Sequence, residues 1–218
     1  MKTSLGRFSA PRIILLLLLF LVPAGARAQV TAIKAGKLVD PETGTVSTNQ
    51  VILVEGRKIK AVGPGLKIPA GADVIDLSKM TVLPGLFDCH THLLMNWLPE
   101  ARLTPEKEAL LPTSVRTLQG VVNARGYLES GFTTVRDVGN APEYADTSLR
   151  LAINLDLIPG PTVINAGYII TPYGGQGRLW PGRPDVNDNE YIFADTRDDM
   201  LKAVRRNIHY GARVIKIV

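Results

Sequence analysis

From Val82 to Val218, short apolar runs alternate with helix-length segments, and this alternation constrains the fold more than any other feature. Strands joined by helical crossovers pair in parallel, with the crossovers right-handed. The pattern predicts strands over 82–87, 132–135 and 161–166, and a fourth from 213 onward. Helices are expected over 105–130 and 146–157, stopped by Gly131 and by Pro159-Gly160. Thr196 can cap a third helix that Gly211 closes, with Leu201, Val204 and Ile208 on one face. Between the third strand and this helix, residues 168–194 form a Gly/Pro-rich excursion too long for a plain connection, so it is expected to cover a site.

Four strands and three helices in 137 residues fall short of a complete eight-stranded α/β barrel, which takes about 250. The fold class is therefore α/β: the N-terminal half of a TIM-like (β/α)8 barrel, with the chain read as a fragment. Residues 29–81 have a different style. Short strands over 31–38, 51–54, 59–62 and 72–77 are separated by turns at Asp40-Pro41-Glu42-Thr43-Gly44 and Glu55-Gly56-Arg57-Lys58. They are expected to be antiparallel and to form part of a small β-sandwich.

Residues 1–28 read as a secretory signal peptide. Lys2, Arg7 and Arg12 precede ten unbroken apolar residues and Ala26-Arg27-Ala28. That core is half the length a membrane span needs, so no stable membrane anchor is expected. The mature chain would be exported, to a periplasm or outside the cell. The leader holds four of the basic residues behind the formal charge of +5, leaving the remainder near +1. With no basic patch interleaved with aromatics, nucleic acid is excluded as a partner. Cys89 is the sole cysteine, so no intrachain disulfide can form. Oligomerisation is left open.

The chemistry concentrates at the end of the first barrel strand, where α/β barrels carry their active sites. Side chains alternate along a strand, so His90 and His92 converge while Cys89 and Thr91 face away. Two imidazoles on one side of a strand end make half of a metal site, and the chain has only three histidines. Asp88 can orient an imidazole or cap the strand. Lys216 sits among β-branched residues of the fourth strand, where burying an ammonium is costly. A neutral amine there can react with carbon dioxide to give a carbamate, an anionic oxygen ligand; the alternative is an edge lysine that reaches solvent. Arg136-Asp137 reads as a structural ion pair, His209 as a helix-end residue, and Asp198 and Asp199 as a helix start.

Residues 31–218 resemble the amidohydrolase superfamily of metal-dependent hydrolases, nearest its imidazolonepropionase-like and Xaa-Pro dipeptidase (prolidase-like) members. The resemblance is carried by Ile52-Leu53-Val54-Glu55-Gly56, Ile59-Lys60-Ala61-Val62-Gly63, Leu83-Pro84-Gly85-Leu86-Phe87-Asp88-Cys89-His90-Thr91-His92, Gly131-Phe132-Thr133-Thr134-Val135-Arg136-Asp137 and Gly211-Ala212-Arg213-Val214-Ile215-Lys216-Ile217. It implies a distorted barrel with a β-sandwich built from both chain ends. It implies two divalent metal ions, zinc first among them, with His90 and His92 on one and carboxylated Lys216 bridging to the second. A metal-bridging hydroxide would then hydrolyse a carbon–nitrogen bond in a small amide, dipeptide or cyclic amide. The family's two further metal histidines and its catalytic aspartate have no counterpart before Val218, so no catalytic residue is assigned. Prolidase-like members carry Gly-Gly-His where this chain has Gly174-Gly175-Gln176, which weakens the prolidase assignment. Tyr173, Gln176, Arg178 and Trp180 are the candidates to line a substrate pocket. The competing expectation is a non-catalytic truncated product or an exported metal-binding remnant.

Overall fold

The computed structural model describes residues 29–95, 105–139, 141–176, 183 and 189–218. The leader, Arg178 and Trp180 lie outside the described residues. The chain divides into two compact units between Pro84 and Gly85. Among the described residues, no helix is long and apolar enough to cross a membrane.

The first unit is a four-stranded sheet in the order β3-β2-β1-β4, formed by β1 (Val30–Asp40), β2 (Thr45–Glu55), β3 (Lys58–Pro64) and β4 (Asp73–Val82). The β1–β2 turn is set by Asp40, whose carboxylate accepts the Glu42 N–H at 2.9 Å and the Thr43 hydroxyl at 2.8 Å. Ala32, Ala35 and Ile52 are its buried apolar residues. The expectation of antiparallel pairing throughout holds for β1–β2 and β2–β3 but fails for β4, which runs parallel to β1. Residues 65–72 carry the chain across the sheet instead of folding it back as a hairpin. β4 also claims Val82, so the strand expected from Val82 begins only at Leu86. Pro84, which lacks an N–H for a ladder, lies in the break.

In the second unit β5 (Leu86–Thr91), β6 (Phe132–Asp137) and β7 (Thr162–Asn165) form the expected parallel sheet in chain order. The predicted first helix is broken into α1 (Pro105–Ala109) and α2 (Thr113–Glu129), because Pro112 has an extended ψ of 138° and becomes the N-cap of α2. α2 and α3 (Ala145–Asn154) cover one sheet face. Leu93, Val135, Leu149 and Val163 form the core there, against Val121, Tyr127, Phe132, Ile153 and Ile158. The other face is open, so β5 is not the buried strand expected: Leu86 is 45% and Phe87 69% exposed.

The third strand divides at Gly167, whose φ of +69° turns the chain and where a Cβ would come within 3.0 Å of the Tyr144 ring. Beyond it, β8 (Ile169–Thr171) pairs in parallel with β9 (Tyr191–Phe193), so the long excursion starts and ends in strand. The fourth strand expected from 213 does not form as a strand: the terminal segment meets β8 through one isolated parallel bridge, Ile217 to Ile170. The Ile170 N–H donates to the Lys216 carbonyl at 2.9 Å, and the Val218 N–H to the Ile170 carbonyl at 3.1 Å.

α4 (Arg197–His209) starts with a capping box: the Thr196 hydroxyl accepts the Asp199 N–H, and the Asp199 carboxylate accepts the Thr196 N–H. Its inward face is Met200, Ala203, Val204 and Asn207, whereas Leu201 and Ile208 are exposed, contrary to the apolar-face expectation. Asn207 explains the roll, because its Nδ2 donates to the buried Tyr168 carbonyl at 2.8 Å.

A buried ion pair between Arg116 of α2 and Glu190, just before β9, ties the two halves of this unit together. Glu190→Ala removes a buried carboxylate partner of Arg116 and should cost up to about 3–5 kcal/mol. Urea unfolding midpoints check this, and a loss below about 1 kcal/mol would contradict it.

Candidate metal centre

The end of β5 is irregular. Asp88 lies opposite Val135 and Thr91 opposite Asp137, so Cys89 and His90 together face the single residue Arg136. This is a β-bulge, a device that re-aims side chains at a strand end. Arg136 stabilises it by donating from Nε to the Cys89 carbonyl at 2.7 Å. The bulge breaks the simple alternation: the Cys89 thiol is exposed rather than packed. Asp88 accepts the backbone N–H of His90 at 3.0 Å, so it sets the main chain at the pair.

The two imidazoles do come together, with ring centroids 5.3 Å apart and planes at 62°. His92 is half-buried, with Nδ1 3.4 Å from the Gly139 carbonyl. With Nδ1–H as donor to that carbonyl, Nε2 is the nitrogen that carries the ring's lone pair. Burial pushes the His92 pKa down, opposed by the bond to Gly139 and reinforced by the charges of His90 and Lys216. The neutral ring is the metal-binding form. The field of Lys216 is thus felt at His92 from a main-chain position fixed on β8. Among the described residues, no three His, Cys, Asp or Glu side chains form a metal-sized cluster.

Arg136 and Asp137 are not the ion pair expected. As neighbours on a strand they face opposite ways, Arg136 outward and Asp137 into the core. Asp137 Oδ1 accepts the Leu93 N–H at 2.8 Å and the Thr91 hydroxyl at 3.5 Å. Asn123 Nδ2 donates to the carbonyls of Leu93 and Met95 at 2.7 and 2.8 Å, and Arg116 Nε to that of Leu94 at 3.3 Å. Sequence reasoning missed Arg116 and Asn123. Their signal was two polar residues, seven apart, on a helix that also supplies core side chains.

Tyr173 and Gln176 lie in the exposed segment directly after β8, the strand bonded to Lys216. Tyr173 stacks on Phe193 at 4.6 Å, and its N–H donates to Asp195 at 2.9 Å. His209 is in the last turn of α4, edge-on to the Tyr210 ring at 4.9 Å.

Residues 81–218 match the amidohydrolase family. The chain belongs to that family. A dihydroorotase from Geobacter metallireducens is 43% identical, over 84% of this chain and 57% of its own length. A prolidase solved with N-methylphosphonate-L-proline superposes with a TM-score of 0.72 at 27% identity, covering 87% of this chain and 46% of that one. A Xaa-Pro dipeptidase with methionine in its active site gives 0.72 at 29%, covering 87% and 47%. This amidohydrolase chain therefore spans about half the length of these relatives, and its α/β architecture is part of a TIM-like amidohydrolase barrel.

Burial holds the Asp137 pKa well above 3.8, with the negative charge of Asp146 adding to the effect. A raised folded-state value means the carboxyl's contribution to stability is complete below the unfolded pKa and is lost as pH rises through the folded one. Asp137→Asn removes this titration. Its urea midpoint should fall less steeply than that of the parent between pH 4 and pH 8, and parallel profiles would contradict the assignment.

Proposed function

We propose that the protein is an exported, metal-dependent amidohydrolase that hydrolyses a carbon–nitrogen bond in a small amide, dipeptide or cyclic amide. The observation that carries this reading is the convergence of His90 and His92 at the end of β5, with burial lowering the His92 pKa and its Nδ1 3.4 Å from the Gly139 carbonyl. Relatives named dihydroorotase, prolidase and Xaa-Pro dipeptidase support the reaction class. The proposal includes a cleaved leader over 1–28, part of a composite β-sandwich over 29–81 and part of a barrel over 82–218.

His90 and His92 would hold one divalent ion. Lys216, after its amine adds carbon dioxide and loses a proton, would offer carbamate oxygens to that ion and a second. Imidazole and carboxylate-type ligands suit zinc best, and iron, manganese and cobalt accept them. When bound, such ions polarise a carbonyl and lower the pKa of water to about 7. The chain's own residues prepare the site. Gly139 orients His92, Asp88 and Arg136 fix the bulge that carries His90, and Tyr173 and Gln176 would line the substrate side.

The test is metal content and turnover of the full-length open reading frame, produced with zinc and bicarbonate and assayed on Xaa-Pro dipeptides, acylated amino acids and cyclic amides. The double variant His90→Ala/His92→Ala should lose bound metal and activity together. Lys216→Ala should lose activity and recover part of it with added short carboxylic acids. Unaltered metal stoichiometry in the histidine variant would sink the reading.

A further inference from the structure

We propose that Asp137 is a positioning residue for the metal pair: a buried carboxyl whose function is to hold the main chain on both sides of His92. The end of β6 grips three consecutive residues. The Val138 N–H donates to the Thr91 carbonyl at 2.9 Å. The Gly139 carbonyl faces Nδ1 of His92 at 3.4 Å. Asp137 Oδ1 takes the Leu93 N–H at 2.8 Å, while the Thr91 hydroxyl donates to the Arg136 carbonyl at 3.2 Å with Asp137 Oδ1 farther off at 3.5 Å. The imidazole is thus fixed by its ring nitrogen, and its backbone by the residues before and after it.

The carboxyl is an expensive choice for a core position. Asp137 is fully buried, and its Oδ2 has no hydrogen-bond partner among the described residues. An apolar residue would fill the space without that desolvation, so the gain must lie in what Oδ1 holds. The acceptor's reach matters more than its charge. Gly139 adds a second constraint: its φ is +120°, and a Cβ there would sit 2.2 Å from Ile169, so only glycine fits where the chain presents this carbonyl to His92. Groups that orient a metal-binding histidine in this way typically change metal affinity by about 10–100-fold when removed.

The inference rests on the metal reading of His90 and His92, and the test separates the two. Cobalt(II) alone is titrated into the metal-free full chain, reading the visible absorption of the bound ion. His92→Ala should abolish the signal; an unchanged signal there means the metal reading itself fails. Asp137→Asn keeps an oxygen acceptor at the same reach and should bind within about threefold of the parent. Asp137→Glu keeps the charge but moves the acceptor by one methylene, and should bind about 10–100-fold more weakly. Nitrogen shifts of the metal-free protein should show His92 as the Nδ1–H tautomer in the parent and in Asp137→Asn, and as a mixture in Asp137→Glu. Melting curves confirm folding of each variant. Should Asp137→Glu fail to fold, Asp137→Ala takes its place beside Asp137→Asn: weaker cobalt binding in the folded Ala variant with near-parental binding in the Asn variant supports the proposal, and equal affinity of the Ala variant and the parent overturns it. Equal affinity of the folded Glu variant and the parent, with His92→Ala silent, would also overturn the proposal while leaving the metal reading intact.

Discussion

The turn after His92 buries its main chain, and satisfying those peptide groups is the constraint on which the rest of the site depends. Leu93 and Leu94 are fully buried, so their N–H and C=O groups cannot turn to water. Asp137 takes the Leu93 N–H, Asn123 the carbonyls of Leu93 and Met95, and Arg116 that of Leu94. These side chains come from the next strand and the intervening helix, so the helix cannot dock without fixing the turn. Arg116 in turn needs Glu190 from the far side of the excursion. The position of two histidines is thus coupled to contacts spread over 100 residues of sequence.

A second buried network does the same for the Lys216 segment. Asn165 at the end of β7 accepts from Arg150 at 2.8 Å and donates to the Thr147 hydroxyl at 2.8 Å. Arg150 reaches on to the Gly211 carbonyl at 3.2 Å, and Thr147 to that of Tyr210 at 3.0 Å. The Arg213 N–H then donates to the Asn165 carbonyl at 2.7 Å, so α4 ends against β7 and the chain enters the stretch that carries Lys216. Both proposed ligand segments are placed by polar anchors on the helix-covered side of the parallel sheet.

How much of this was legible depends on the range of the interaction. The parallel sheet, the capping box at Thr196 and the convergence of His90 and His92 follow from local periodicity and capping chemistry, and all are present. The errors are non-local. The parallel return of β4 depends on a crossover with no sequence period of its own. The face of α4 was misjudged because Asn207, a polar residue, is the one turned inward to a carbonyl 39 positions away. Cys89 was placed by strict alternation, which a bulge held by Arg136 overrides. Asp137 was paired with its neighbour in sequence when its partner is a backbone amide in the turn after β5.

The central claim is that His92, held through Nδ1, offers Nε2 to a divalent ion beside His90. A crystal structure of the zinc-loaded full-length protein, with anomalous data at the zinc edge, tests it most directly. The account predicts zinc about 2.0–2.1 Å from Nε2 of His92 and from a ring nitrogen of His90, with the Gly139 carbonyl still facing Nδ1. Zinc bound away from the pair, or ligated by Nδ1 of His92, would contradict it.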